Sequence, residues 1–288
     1  MCAFARRRPS AFTLIELLVV VAVIALLISI LLPSLAAARE RAKVARCLAQ
    51  LKNLMTATQT YFVENRDTFP FIVANTGGGL GVCTWSYGGK STDDYWRTNS
   101  GGLFYFQAHQ KPLNRYIQGA DVGANDPVPV MQCPSDVSSF QRQITTPGLT
   151  EGDPFSCYDD IGTSYQFNFH ALDTTGGSPD PWVSNGNGWQ QNLRKLLRDG
   201  GLGFSSRLVW YFENPHNYGI RQRVQTVGNH RQFSVHSVGM LDGHAEYRLM
   251  DSRKYCGPGW YVINPLWVWR VGQTRPIPTN YPLSKQCD

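Results

Sequence analysis

The side chains best suited to chemistry in this sequence lie close together in its last third. They are His230, His236, Asp242 and His244. Nitrogen and oxygen donors of this kind can ligate a transition metal such as zinc when they converge. The step from Asp242 to Gly243 is also typical of a two-residue β-hairpin turn, with "SVGML" and "HAEYRL" as its strands. The pattern therefore predicts either a ligand site or a turn that serves as scaffold.

Two acidic pairs form a second candidate site. They stand in "STDDYW" (91–96) and "CYDDIGTSY" (157–165). Calcium takes oxygen ligands of this type, although neither segment has the spacing of an EF-hand loop. The sequence contains no G-x-S-x-G nucleophile elbow, no phosphate-binding loop and no C-x-x-C pair. We therefore expect no enzyme activity and no cofactor, and calcium is the ion to test.

The cysteines are single and scattered. In an exported domain such cysteines can form disulfides, and proximity favours Cys133 with Cys157 and Cys256 with Cys287. Buried free thiols, which pack as small apolar groups, are the alternative. Connectivity cannot be deduced from sequence alone. The six cysteines that follow the N-terminal segment are Cys47, Cys83, Cys133, Cys157, Cys256 and Cys287.

One further ionisable group, Glu16, stands inside an apolar segment. From Phe12 to Leu32, 21 residues, only Thr13, Glu16 and Ser29 are not apolar. A helix needs roughly 20 residues to cross a bilayer. A carboxylate near the centre of such a helix costs about 2.5–3.5 kcal/mol on insertion scales. Glu16 is therefore expected to have a positively charged partner; the alternative is an acid that reaches the interface without one.

The charges around the apolar segment predict its orientation. Arg6–Arg8 precede it and favour a cytoplasmic N-terminus. A second basic group follows at 39–46 and opposes this orientation, but the triple arginine lies closer to the span. A cleavable secretory signal with a site at Ala36–Ala38 would instead release a protein, such as a secreted enzyme, that begins at Arg39. The apolar run is longer than the 7–15 residues typical of such signals.

Beyond the span, the pattern predicts an amphipathic stem. Pro33 should kink the helix because it removes a backbone donor. An apolar stripe at spacings of three and four then continues through Val44, Leu48, Leu51, Met55, Thr58 and Phe62. The predicted polar side carries Arg46, Gln50, Asn53, Thr60 and Glu64. We expect one helix from about Phe12 to about Asn65, half in lipid or fibre core and half against a head.

Residues 66–288 predict a head of short strands and long loops. Strand-like runs occupy 207–212, 231–243, 244–250 and 260–271, and one short helix at 190–201 is closed by Gly200. Trp182 and Trp189 lie in a loop rich in Gly, Asn and Pro and are expected to be exposed, where they could bind a glycan or a protein. The predicted fold class is α+β, a long N-terminal helix on a mainly antiparallel sheet.

The segment "AFTLIELLVVVAVIALLISILLP" (11–33) closely resembles the N-terminus of type IV prepilins and type II secretion pseudopilins. The resemblance implies a basic leader, 1–11, that a prepilin peptidase cuts after Ala11, with N-methylation of Phe12. Glu16 then stands fifth in the mature chain, and Pro33 falls where pilin helices commonly carry a proline. The family usually has glycine where this chain has Ala11; alanine is also small, so slower cutting is expected.

The resemblance also implies roles and partners. In pilin-like fibres the fifth-position carboxylate is thought to meet the N-terminal amine of a neighbouring subunit, so Glu16 and Pro33 become assembly residues. Opposite charges attract strongly in a low-dielectric core. The implied partners are a prepilin peptidase/N-methyltransferase, other pilin-like subunits, an inner-membrane assembly platform and membrane lipid. Nucleic acid is not expected, because loss of the leader would lower the formal net charge from +6 to +3.

Four further segments resemble a large bacterial group of pilin-like proteins with oversized heads. They are "RCLAQLKNL" (46–54), "QCPSD" (132–136), "TSYQFN" (163–168) and the late element of His230, Asp242, Gly243 and His244. That group usually has about nine residues between the histidine and Asp-Gly. Here eleven follow His230 and five follow His236, so either histidine could be the matching one.

The predicted organisation is a leader (1–11), a transmembrane and assembly helix (12–35), a stem (36–65) and a head (66–288). The predicted location is the bacterial inner membrane, spanned once, with a cytoplasmic N-terminus and a periplasmic head; a filament that reaches the cell surface is a second location. The expected function is a pilin-like structural subunit, whether pseudopilin or minor pilin. The alternative is a membrane-tethered module whose head recognises a glycan or a protein.

Overall fold

The computed structural model describes residues 13–75, 80–144, 147–171, 193, 194, 196–198 and 205–262. The chain divides into two compact units, Met1–Ala42 and Lys43–Asp288. The predicted boundaries at 35/36 and 65/66 stay a prediction.

The first unit contains the start of helix α1, which spans Leu14–Glu64. This agrees with the single helix expected from about Phe12 to Asn65. Its large apolar side chains from Leu14 to Leu35 are all exposed. The helix is long and apolar enough to cross a membrane. Pro33 lies inside it, and a kink there stays a prediction.

In the second unit, α1 provides the stem. Leu51, Met55, Thr58 and Phe62 of the predicted stripe are buried, whereas Val44 and Leu48 are half-buried. The assignment of Gln50 to the solvated side is wrong. Gln50 is buried because its amide is satisfied on both sides: Nε2 donates to the Pro129 carbonyl at 3.0 Å, and Oε1 accepts from the Tyr165 hydroxyl at 3.1 Å.

All strand pairs in the described part of the chain are antiparallel. Strands β1 (Val73–Asn75) and β2 (Leu80–Val82) pair with each other. A four-stranded sheet has the order β3 (Tyr165–Phe167), β4 (Val209–Glu213), β5 (Val235–Met240) and β6 (Ala245–Leu249). Strands β7 (Cys256–Gly257) and β8 (Trp260–Tyr261) form a third pair. The predicted α+β class with an antiparallel sheet is confirmed.

The remaining helices are short. They are α2 (Tyr95–Thr98), α3 (Asn114–Gln118), α4 (Cys157–Ile161) and α5 (Asn214–Gln222). Single 3₁₀ turns cover Asn99–Gly102, Ala108–Gln110, Pro129–Met131 and Phe169–Ala171. Residues 193, 194 and 196–198 of the predicted 190–201 helix are helical, and Gly200 lies outside the described residues. Trp182, Trp189 and the predicted strand beyond Val262 also lie outside them.

Strands β3 and β4 and most of β5 are buried on both faces of the sheet, whereas β6 is half-buried and ends at the exposed Leu249. On one face the stem packs against β4: Thr58 Oγ1 lies 2.8 Å from the Tyr211 hydroxyl, and the rings of Phe62 and Trp210 lie 6.0 Å apart. On the other face Val209, Phe212, Val238 and Met240 form a second apolar cluster with Ile220 of α5. Because β4 is buried on both faces, its sequence is a nearly continuous apolar run and does not alternate between apolar and polar residues.

The predicted hairpin is present between β5 and β6, but its loop has three residues, 241–243. Met240 N donates to the His244 carbonyl at 2.8 Å, and Gly243 N donates to the Met240 carbonyl at 2.9 Å. Gly243 has a φ of 102°, and Asp242 has no positive φ. The expectation of a two-residue turn is therefore wrong. A type I turn followed by a left-handed glycine needs only one residue with positive φ.

Candidate functional site

Glu16 caps the helix in which it stands. Its carboxylate accepts the Thr13 backbone N–H at 2.8 Å and the Thr13 hydroxyl at 2.9 Å, while Glu16 N donates to Thr13 Oγ1 at 3.2 Å. This reciprocal pattern is a capping box. The capping box was not predicted from the sequence, although its signature, Thr-x-x-Glu, is present at 13–16. Ala11 and Phe12 lie outside the described residues, so cleavage and methylation stay predictions.

In the head, the segments 132–136 and 163–168 bind each other through Asp136. Its carboxylate accepts the N–H groups of Cys157 and Tyr158, each at 3.0 Å, and the Ser164 hydroxyl at 2.6 Å. Cys133 N donates to the same Ser164 oxygen at 2.9 Å. Burial nevertheless raises the pKa of Asp136 to about 7. Asp136 and Ser164, which the sequence singled out only through a family resemblance, therefore form a buried hydrogen-bond network that joins the two segments.

This raised pKa predicts a pH dependence. Between an ordinary aspartate pKa near 4 and a value near 7, the folded chain holds a proton that the unfolded chain releases. The free energy of unfolding should therefore fall as pH rises through this window, by up to about 1.4 kcal/mol per pH unit. Asp136→Asn should flatten the profile, measured by denaturant unfolding of the solubilised protein. Parallel profiles for the two proteins from pH 4 to pH 7 would contradict this.

Cys47, Cys133 and His230 meet in the core of the head. The two Sγ atoms lie 2.7 Å apart, and Cys133 Sγ lies 3.6 Å from His230 Nε2. All three side chains are buried. Contact with the Cys133 thiol lowers the pKa of the Cys47 thiol. Within the described ranges, this is the only group of three potential metal-ligating side chains whose ligand atoms all lie within 4.8 Å of one another.

The other late histidines lie elsewhere. His244 is partly exposed, and its ring contacts Asp242 Oδ1 at 2.5 Å and Glu246 Oε1 at 3.1 Å. His236 is fully buried on β5 and faces Glu213. Thus the structure brings Asp242 together with His244, but it places His230 with two cysteines that the sequence did not connect with it.

Glu213, which sequence reasoning also missed, holds the segment that carries His230. It is fully buried at the end of β4. Its Oε2 accepts Asn229 N at 2.9 Å, and Oε1 accepts Ser237 N at 3.0 Å. Burial raises the pKa of Glu213, but His236 at 3.7 Å and these N–H donors lower it further, and the resulting pKa is below the ordinary value. The carboxylate therefore stays charged.

The two acidic segments proposed for calcium are neighbours. Asp93 N donates to the Asp160 carbonyl at 2.8 Å, and Arg142 pairs with both side chains, at 2.7 and 2.9 Å. Asp159 pairs with Lys90 at 2.5 Å. A surface cavity of about 420 Å³ lies here, and its lining includes Lys90, Asp93, Asp94, Arg97, Tyr105 and Asp159. Calcium binding stays a prediction.

The predicted disulfide between Cys133 and Cys157 is wrong, because the two side chains belong to different apolar clusters. Cys157 packs with Cys83, Trp85 and Trp96 in a separate apolar cluster, whereas Cys133 faces the stem. Cys256 is disulfide-bonded, and its partner lies outside the described residues. The pairing of Cys256 with Cys287 stays a prediction.

Comparison with known proteins places a recognised motif at the N-terminus. The family described as "Prokaryotic N-terminal methylation motif" matches residues 6–32. The Type IV wide pilus major component PilA4 of Thermus thermophilus is 42% identical over 59 residues, which are 20% of this chain and 45% of that protein. The chain thus spans less than half the length of this relative. No solved structure matches.

Proposed function

We propose that this type IV prepilin-like protein is a pilin-like structural subunit that is cut after Ala11, methylated on Phe12 and assembled through α1 into a type IV pilus or a type II secretion-like filament. The N-terminal methylation motif at 6–32 is the observation that carries the proposal. The exposed apolar part of α1 supports it, because such a surface needs lipid or neighbouring helices to cover it. No catalytic role is proposed for any residue.

Within this proposal, the chain spans the inner membrane once. The N-terminus is cytoplasmic and the head periplasmic, since Arg6–Arg8 precede the span. The partners are the prepilin peptidase, other pilin-like subunits, an assembly platform and lipid. The head has well over half of the residues of the chain, which favours a pseudopilin or a minor subunit over an abundant shaft subunit.

Mass spectrometry of the native N-terminal peptide tests the proposal. We expect a peptide that begins with N-methylated Phe12. Ala11→Gly is the matched variant and should be processed faster, because glycine is the usual residue before the cut. A mature protein that begins at Arg39 would show instead that the apolar segment is a discarded export signal.

A binding module remains the second candidate, and the polar cavity beside α2 favours it. That cavity combines Asp93, Asp94 and Arg97 with Tyr105, a mixture of hydrogen-bonding and aromatic groups that suits a glycan. A tethered binding module should stay in the membrane fraction when filaments are sheared from cells. A filament subunit should appear in the sheared material.

A further inference from the structure

Two cysteines from distant parts of the head face each other. Cys47 lies on the stem and Cys133 in the segment 132–136, 86 residues further along the chain. Both are fully buried, so neither sulfur has water as an alternative neighbour. Their separation of 2.7 Å is shorter than the roughly 3.5–4.0 Å at which smaller, unbonded carbon atoms rest. The fold has therefore already brought together two groups that can become bonded.

We propose that Cys47 and Cys133 form a disulfide in the exported protein and so join the stem covalently to the head. The inference rests on the proposed function in one respect: export places the head in an oxidising compartment, where disulfides persist. The bond would constrain the unfolded chain over a loop of this length.

The oxidant is a protein disulfide donor, and the exchange balances in two steps. The Cys47 thiolate attacks one sulfur of the donor disulfide, forms a mixed disulfide and releases the other donor sulfur as a thiolate. The Cys133 thiolate then attacks the Cys47 sulfur, and the second donor sulfur leaves. The donor thereby gains two electrons and two protons, and the new S–S bond replaces the one that was broken.

The surroundings suit this order of events. The thiolate is the attacking form in both exchanges. Both sulfurs are buried in the finished head. The first exchange therefore precedes docking of the segment 132–136 on the stem.

A zinc ion on the same three side chains is the competing occupant. Zinc has Zn–S distances of about 2.3 Å and usually takes four ligands in a tetrahedron, which holds two thiolates well over 3 Å apart. Here the sulfurs are closer than that, and the cluster offers three ligands. The geometry therefore favours the disulfide.

The test uses the full chain in an exporting host with a prepilin peptidase. Cells are lysed in acid and denaturant so that buried thiols become accessible, free thiols are alkylated, the protein is digested without reductant, and the peptides are analysed by mass spectrometry. We expect the Cys47 and Cys133 peptides to be linked. Cys47→Ser should raise alkylation of Cys133 at least tenfold, whereas Cys157→Ala and His230→Ala should leave the link in place.

The outcomes separate this proposal from the proposed function. Protein that begins at methylated Phe12 but has both thiols alkylated overturns the disulfide and leaves the function standing. If the thiols are free and alkylated in denaturant, and the native purified protein releases one equivalent of zinc that His230→Ala lacks, the disulfide is overturned in favour of a metal centre. If the N-terminus is unprocessed, the function fails. The purified full chain in glutathione redox buffer then tests the disulfide alone: a link supports it, and no link overturns it.

Discussion

Glu16→Gln is expected to reduce the protein in sheared filaments at least tenfold, with its membrane level and N-terminal processing unchanged. Glutamine can still accept the Thr13 N–H, so the capping box survives. What is lost is the negative charge that, in the proposed assembly, meets the amine of a neighbouring subunit. In a low-dielectric core such an attraction is far stronger than in water. Immunoblots of sheared and membrane fractions measure both quantities.

Thr13→Ala is the matched control. It removes the hydroxyl that caps α1 but keeps the carboxylate of Glu16. Loss of a cap costs about 1 kcal/mol of helix stability, so the protein in filaments should stay within twofold of wild type. If Glu16→Gln assembles normally while Thr13→Ala does not, the carboxylate serves its own helix and the proposed intersubunit pair is excluded.

Glu213→Ala is expected to lower the free energy of unfolding of the head by about 3–5 kcal/mol, the range for breaking a buried, paired charge. The substitution leaves two buried N–H groups, of Asn229 and Ser237, without their acceptor, and it removes the charge that faces His236. Native proteins have only about 5–15 kcal/mol of stability in total. Denaturant unfolding of the solubilised protein, followed by tryptophan fluorescence, measures the change.

Glu246→Ala provides the comparison on a neighbouring part of the same sheet. Glu246 pairs with Arg248 at 2.6 Å but is partly exposed, so the change should cost no more than about 1 kcal/mol. Equal losses for the two variants would show that Glu213 does not hold the 228–237 segment. The pKa of Glu213 is lowered in the folded protein, so its charged carboxylate contributes fully to the free energy of unfolding above the ordinary glutamate pKa. This contribution decreases as pH falls from that value through the lowered pKa of the folded protein.

Local patterns predicted the elements that depend on local sequence. The apolar run and stripe predicted α1 almost to its ends, since helical periodicity is a property of neighbouring residues. The Asp242–Gly243 step predicted the β5–β6 hairpin for the same reason. The loop length was wrong because one left-handed glycine suffices where two such residues were expected.

The sites in the head depend on contacts between distant residues, which no spacing in a single sequence reveals. Cys47 and Cys133 are 86 residues apart, and Cys133 and His230 are 97 apart. Proximity along the chain suggested Cys157 as the partner of Cys133, but Cys157 packs in a different apolar cluster. Gln50 looked solvated because its two partners, Pro129 and Tyr165, approach only in the folded head.

Gly239 determines how close the stem can approach the sheet. A methyl group at this position on β5 would lie 3.3 Å from Met55 Cγ and 3.7 Å from Leu51 Cδ2. At 3.3 Å the flexible Met55 side chain has to give by a few tenths of an ångström, and a side chain larger than alanine would press further on Met55 and Leu51. The same stem carries the Thr58–Tyr211 hydrogen bond and the Cys47–Cys133 contact, so a glycine on β5 preserves the close packing between helix and sheet on which these two contacts depend.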